Sequence, residues 1–320
     1  MTTFNEKEFR IGTAEYDRDF WDTMRGSLTA VDNIHCGVNK ATGAFVLPSG
    51  SNEKYEKAIK RESIFRNIAT VVKAYGGASR IFAKDCDDLA QWVPEGGSIP
   101  IFDSADDFTQ HPVDMHKLAA FVKLDDDFIH DAAFNIRTYL TDRLARNFAR
   151  AEDTGFVTGT GVEMPTGILC PDKGAEVALT VDSIGFDDVI RLFFSLDDEY
   201  RRKAVWMMND KTALKLRLLK DGNGNHLWNQ VNDTILGKPV IICNAMPSEE
   251  SGAMPIVFGD FSYYWIVLRS PVSVRTLKEK FITLDQIGYL AFEFLDAKLI
   301  RRKAVKAIQI KGAMPNIAYG

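Results

Sequence analysis

Cysteine is scarce in this 320-residue chain: Cys36, Cys86, Cys170 and Cys243 lie far apart, with no CxxC pair. Their spacing excludes a disulfide framework and a cysteine zinc site, both of which need clustered thiols. Histidine is sparse too. His35, His111, His116, His130 and His226 are scattered and read as surface or packing residues. No apolar run approaches the roughly 20 residues that span a bilayer, and the longest, 263–268, is strand-sized. The opening MTTFNEKEFRIG lacks the basic-then-apolar pattern of a signal peptide, so a cytoplasm-like setting is expected. No GxSxG elbow, HExxH helix or Walker loop occurs. Adjacent carboxylates such as Asp87/Asp88 and Asp106/Asp107 point to opposite faces of an extended strand and cannot share one substrate. The chain therefore reads as a non-enzyme without cofactor or metal. An excess of basic charge is also missing. With 44 acidic and 39 basic residues the net charge is -5, the wrong sign for a dedicated nucleic-acid binder.

The apolar fraction of 46% is enough for a sizeable core, and the length suits about two domains. Residues 4–26, with Phe9, Tyr16, Phe20, Trp21 and Met24 as apolar points, read as a short helix or frayed arm. Residues 36–54, rich in Gly, Ser, Asn and Thr, read as an extended arm with no packing of its own. Helical spacing returns from Lys57 to Val72. Residues 78–124 read as a hairpin around Pro94, Gly96, Gly97 and Pro100. From Asp85 to Asp131 there are 12 acidic residues and 2 basic ones. So acidic a hairpin, poor in aliphatics, is either a mobile loop or a surface lying on something else.

The clearest helix is predicted over 125–153. Asp125, Asp126 and Asp127 offer caps, and Phe128, Ala132, Ile136, Leu140, Leu144 and Phe148 follow at steps of four. It would be a rod of roughly 38 Å, closed by Gly155. The glycine-rich stretch 155–167 comes after a helix, the wrong order for a dinucleotide loop. Residues 180–266 read as a mixed α/β unit, with a strand over 204–208 and Asn209 capping the next helix. The turn 221–225 resembles a calcium loop only superficially, since His226 and Asn232 stand where Gly and Glu are required. Beyond 271 the chain is strand-rich. Leu290, Phe292 and Phe294 alternate with Tyr289, Ala291 and Glu293, the sign of a half-buried strand, and Val305 to Ile310 form the last strand. Six basic residues and no acid lie between Lys298 and Lys311, and a second basic group runs from Arg201 to Lys220. Such segregation suits an acidic loop lying over the basic surface of a neighbouring copy, or pairing within one chain.

At Trp92-Val93-Pro94-Glu95-Gly96-Gly97-Ser98-Ile99-Pro100 the sequence resembles the major capsid proteins of tailed phages with the Hong Kong 97-type fold. The likeness continues through Lys117-Leu118-Ala119, Glu152-Asp153, Thr158-Gly159-Thr160-Gly161 and Pro165-Thr166-Gly167-Ile168-Leu169. It resumes at Leu219-Lys220-Asp221-Gly222-Asn223-Gly224, Leu236-Gly237-Lys238-Pro239-Val240 and Phe258-Gly259-Asp260-Phe261, covering about 55–312. No single motif is diagnostic; their number and order carry the match.

The resemblance implies an α+β fold. It has an N-terminal extension (1–35), an N-terminal arm (36–60) and an extended E-loop hairpin (76–118) lying across the adjacent subunit. A peripheral domain (61–75, 119–179 and 267–312) is built on the spine helix 125–153, and an axial domain (180–266) and a tail (313–320) complete the chain. It further implies hexamers and pentamers of an icosahedral shell around double-stranded DNA, contacted non-specifically. Scaffolding protein, prohead protease and portal are the other implied partners, and assembly is expected in the bacterial host cytoplasm, away from membranes. The expected inter-subunit contacts are Trp92, Glu95, Gly96 and Gly97 at the bend, Asp221 and Asn223 at the axial turn, and Arg301 and Arg302 in the basic stretch. Two departures from the family pattern stand out. Only about 35 residues precede the arm, with Glu15 to Gly26 resembling the end of a scaffolding segment. Gly96 replaces the cross-linking lysine of some relatives, with Asp285 and Phe292 near the positions of its asparagine and helper acid, so no covalent cross-link is expected. The alternative with the same fold is an encapsulin-like nanocompartment shell, and an α/β metabolic enzyme is the third reading.

Overall fold

A computed structural model of the chain describes residues 11–27, 30–75, 80–84, 93–94, 108–131, 133–220, 222–226, 228–229 and 232–312. Two sheets share a core. In the first, β1 (Val38–Asn39) pairs with β2 (Ala44–Val46), which pairs with the long β13 (Tyr264–Leu277). β13 pairs with β14 (Gln286–Leu299), and β14 with β6 (His116–Asp125), all antiparallel. β3 (Thr70–Lys73) runs parallel to the start of β13. The alternation in β14 predicts one buried face, but both are covered. Tyr289 and Ala291 join the core on one side, while Phe292 and Phe294 cluster with Ala44 on the other.

The predicted 125–153 helix is broken. α4 (Asp126–His130) stops, and α5 starts at Ile136 and runs to Thr158. The apolar spacing continues through the break, but two polar side chains take backbone groups away from the helix. Asp131 Oδ1 accepts the N–H of Ala133 at 2.8 Å, and Asn135 Oδ1 accepts that of Thr138 at 3.2 Å. These are the local bonds by which Asp and Asn favour caps and turns. Gly155 lies inside α5 instead of ending it, and Gly159 is the cap. A Cβ at Gly159 would stand 2.0 Å from the Pro165 carbonyl oxygen, so only glycine fits there.

Of the two readings of residues 4–26, a short helix or a frayed arm, the described part takes the helix. α1 (Ala14–Met24) is capped by Thr13 and buries Phe20 and Met24 completely. The Tyr16 hydroxyl donates to the Val46 carbonyl at 2.7 Å, and that of Tyr289 to the Met24 carbonyl at 2.8 Å. Within the expected arm 36–60, β2 belongs to the first sheet, and α2 (Ser49–Glu62) is a full helix. Its Ser-Gly-Ser-Asn start is poor in helix propensity. Packing of Tyr55, Ala58 and Ile59 overrides that. The helical spacing read over 57–72 resolves into the end of α2, one turn α3 (Phe65–Ile68) and β3.

The second sheet has the order β7-β15-β12-β8-β11-β10-β9. These strands are β7 (Glu176–Val181), β8 (Val205–Met208), β9 (Trp228–Asn229), β10 (Thr234–Ile235), β11 (Lys238–Ile242), β12 (Ile256–Gly259) and β15 (Val305–Ile310). α6 (Phe186–Ser195) follows β7, and α7 (Asp210–Leu218) joins β8 to the parallel β11. α7 is capped by Asn209, as the sequence predicts, with Oδ1 accepting the Thr212 N–H at 2.8 Å. Trp206 stacks on Phe258 with ring centroids 4.1 Å apart. β15, expected with the peripheral segment 267–312, sits instead between β7 and β12 in this sheet. Its apolar pattern identifies a buried strand but carries no information about which distant strand it joins. Among the described residues no helix is long and apolar enough to cross a membrane.

Candidate assembly surfaces

β4 (Arg80–Lys84) and β5 (Phe108–Pro112) form an antiparallel ribbon from Arg80↔Pro112 to Lys84↔Phe108, hydrogen-bonded into neither sheet. A lone two-stranded ribbon is marginal in water, so its foot is tied down. The Asp114 N–H donates to Asp296 Oδ2 at 3.0 Å, and Lys298 reaches Asp296 at 2.9 Å and also the Pro112 carbonyl. Ile81 and Val113 pack on Val267, while Phe82 on the same strand is 58% exposed.

Trp92, Glu95, Gly96, Gly97 and Asp221 fall outside the described residues. Asn223 is exposed in the turn 222–226, where Gly224 takes φ +87° and an antiparallel bridge from Lys220 to His226 closes the loop. Arg301 and Arg302 turn toward their own chain. Arg301 donates to the Tyr200 hydroxyl at 3.2 Å and lies over the Tyr263 ring, and Arg302 donates to the carbonyls of Gly174 (2.9 Å) and Pro171 (3.2 Å). Elsewhere in this basic stretch Lys306 pairs with Glu176, and Lys311 with Asp182. These contacts lie within the chain and go to groups outside the acidic hairpin. Asp285 takes a left-handed conformation (φ 53°) at the end of the 279–284 turn, and Phe292 is buried. Among the described residues no group of three His, Cys, Asp or Glu is placed to hold a metal.

A cluster absent from the sequence reading ties the fold together. Arg66 on α3 donates Nε to Glu152 Oε2 (2.8 Å) and Nη2 to Glu152 Oε1 (2.5 Å) on α5. The same Nη2 donates to Glu293 Oε1 (2.7 Å) on β14, and the Tyr55 hydroxyl on α2 donates to Glu293 Oε2 (2.9 Å). Beside them Asp153 accepts from the Ser63 hydroxyl and from the N–H groups of Ile64 and Phe65. All six side chains are buried. The sequence did hold a signal. Glu152 occupies the next step of the Leu140, Leu144, Phe148 stripe, where a charge has no place in an apolar core unless it is paired.

Two carboxylates share one guanidinium, and this has a pH consequence. Burial pushes the Glu152 carboxyl up to about 8, with Arg66 opposing that shift and Glu293 adding to it. A carboxyl whose folded pKa is raised binds more protons in the native state than in the unfolded chain. Its contribution is favourable in acid and is lost as pH rises through about 8. Glu152→Gln should therefore flatten the fall in melting temperature between about pH 5 and 8. An unchanged slope in calorimetry across that range would show that Glu152 stays ionised.

The phage capsid family model matches residues 43–310, which span both sheets, α5 and the buried cluster. Among solved structures, the capsid of an empty GTA particle is similar at 29% identity and TM-score 0.65, covering 78% of this chain and 90% of that one. The capsid of a native GTA particle is similar at 28% identity and TM-score 0.61, with the same coverage. A chain of Microbacterium phage Oxtober96, at 17% identity and TM-score 0.57, covers 78% of this chain and 91% of its own and shares the fold. No curated protein matches the chain. The family match and the likeness to these solved capsid structures place the chain in the Hong Kong 97-type fold; it belongs to the phage capsid family, as a major capsid protein of a tailed phage or phage-like particle.

Proposed function

We propose that copies of this subunit form hexamers and pentamers of an icosahedral shell enclosing double-stranded DNA, each copy laying its hairpin across a neighbour. The observation that carries this reading is the β4–β5 ribbon, held at its foot and built into neither sheet. It leads into the most acidic stretch of the chain and to the bend at Trp92, Glu95, Gly96 and Gly97, which we assign to the neighbour contact. The second sheet forms the axial unit, with Asp221 and Asn223 turned to the capsomer axis. The role is structural and not catalytic, and the shell is assembled in the host cytoplasm with scaffolding, protease and portal as partners. Because α1 fills the core, a cut beyond Thr13 would remove part of that core.

Electron microscopy of the purified protein should reveal rings or closed particles. A protein that stays monomeric at any concentration removes the reading, and closed particles filled with a protein cargo transfer it to a nanocompartment. With Gly96 at the lysine position, boiled shells should run as a single monomer band in denaturing gels. A covalent ladder would contradict that.

A further inference from the structure

α2 and α5 lie side by side. Tyr55 meets Phe148 with ring centroids 6.3 Å apart, and Arg61 reaches Asp142 and Arg146 reaches Glu62, each at 3.6 Å. Each helix buries one face, and these two ion pairs join the outer faces into one strip. On α5 that strip carries Arg143, Arg146 and Arg150, all exposed and spaced i, i+3, i+7. On α2 it carries Lys57, Lys60 and Arg61, also exposed. The acids of the strip are already engaged: Glu62 and Asp142 as above, and Glu56 by Lys73 at 2.6 Å. Glu53 and Lys54 cancel at its edge. Lys57, Lys60, Arg143 and Arg150 have no acidic partner among the described residues. Six cations against three acids give +3 on this strip, in a chain whose net charge is -5.

The kind of partner follows from what the strip lacks. Between residues 53–61 and 142–150 no large apolar side chain is exposed, whereas protein contacts are anchored by such groups. The other side of the same sheet does have them. Phe121 is 44% exposed, and Phe281 packs on it in the 279–284 turn, where Ile282 and Leu284 are 74% and 60% exposed. Arginine forks match phosphate oxygens, and Arg143 to Arg150 spans about 10 Å, close to three axial steps of about 3.4 Å between successive phosphates on one strand of a duplex. We propose that the joined outer faces of α2 and α5 line the inside of the shell and touch backbone phosphates of the enclosed duplex without reading sequence. This inference rests on the capsid reading and names the surface that does the contacting.

The test uses unassembled full-length protein and a fluorescein-labelled 30-base-pair duplex, with anisotropy read from 25 to 200 mM salt. Arg143→Gln, Arg146→Gln and Arg150→Gln together should reduce the slope of log K against log salt by about 2.7, at about 0.9 per phosphate contact. Lys203→Gln, Lys211→Gln and Lys303→Gln, equal in charge removed but placed off the strip, should leave the slope as in the wild type. Unchanged circular dichroism shows that both triple variants remain folded. Equal losses in the two variants, an unchanged slope in the arginine variant, or no duplex binding by the wild type overturns the proposal. So does an arginine variant that binds DNA normally but no longer assembles, because the strip is then a protein contact. Wild-type particles seen by microscopy keep the capsid reading in every one of these cases, so the two can fail separately.

Discussion

Arg66→Ala should cost about 3–5 kcal/mol of folding stability, the usual effect of removing one partner from a buried ion pair. Among the described residues the guanidinium is the cation between Glu152 and Glu293, and without it two carboxyl groups, 0% and 3% exposed, lose their counter-ion, Glu293 keeping only the Tyr55 hydroxyl. Since domains typically have about 5–15 kcal/mol in total, the variant should unfold at a markedly lower urea concentration and assemble poorly. Adding Glu152→Gln should recover part of the loss, because it removes one of the two buried acids left without their cation. The lesion is electrostatic and not a cavity, and the double variant tests that. A single variant within about 1 kcal/mol of wild type would mean that the carboxylates take up protons at little cost, and that the cluster is not what holds α2, α3, α5 and β14 together.

Removing residues 85–107, with Lys84 joined to Phe108 by two glycines, should leave a soluble, folded protein that forms no closed shells. The β4–β5 foot stays in place through Asp296, Lys298 and the packing of Ile81 and Val113 on Val267. Among the described residues neither sheet loses a strand. The melting temperature should therefore move by a few degrees at most, while closed particles disappear from micrographs and sedimentation shows only monomers or capsomers. The contrast between intact fold and absent shells is the expected result. Shells at wild-type yield would mean that the hairpin is not the joint between copies. A collapse of stability would mean that its tip packs on its own chain.

Much of the local structure is legible from residue order. The stripe Leu140, Leu144, Phe148 marks α5, Asn209 marks the start of α7, and the alternation in 289–294 and the apolar run 305–310 mark β14 and β15. The motif series beginning at Trp92 identifies the family, later matched over 43–310. The break between α4 and α5 escapes a periodicity argument because Ala132 and Ile136 keep the spacing. Only the capping bonds of Asp131 and Asn135 stop the helix, and such bonds compete with helical ones by about 1 kcal/mol. The start of α2 escapes it for the opposite reason. Its propensity is weak, and its apolar points become a core only when Phe148 comes to meet them.

By itself the sequence determined that the chain is an α+β capsid subunit with a hairpin too acidic and too poor in aliphatic side chains to form a core alone. Periodicity, capping residues and turn glycines act over a few positions, so they can be read directly. Tertiary structure alone decided that β15 joins β7 and β12, that both faces of β14 are covered, and that Arg66 meets carboxylates 86 and 227 positions away. Strand partners and buried charge pairs are set by which distant surfaces exclude water together, and residue order carries no local record of that.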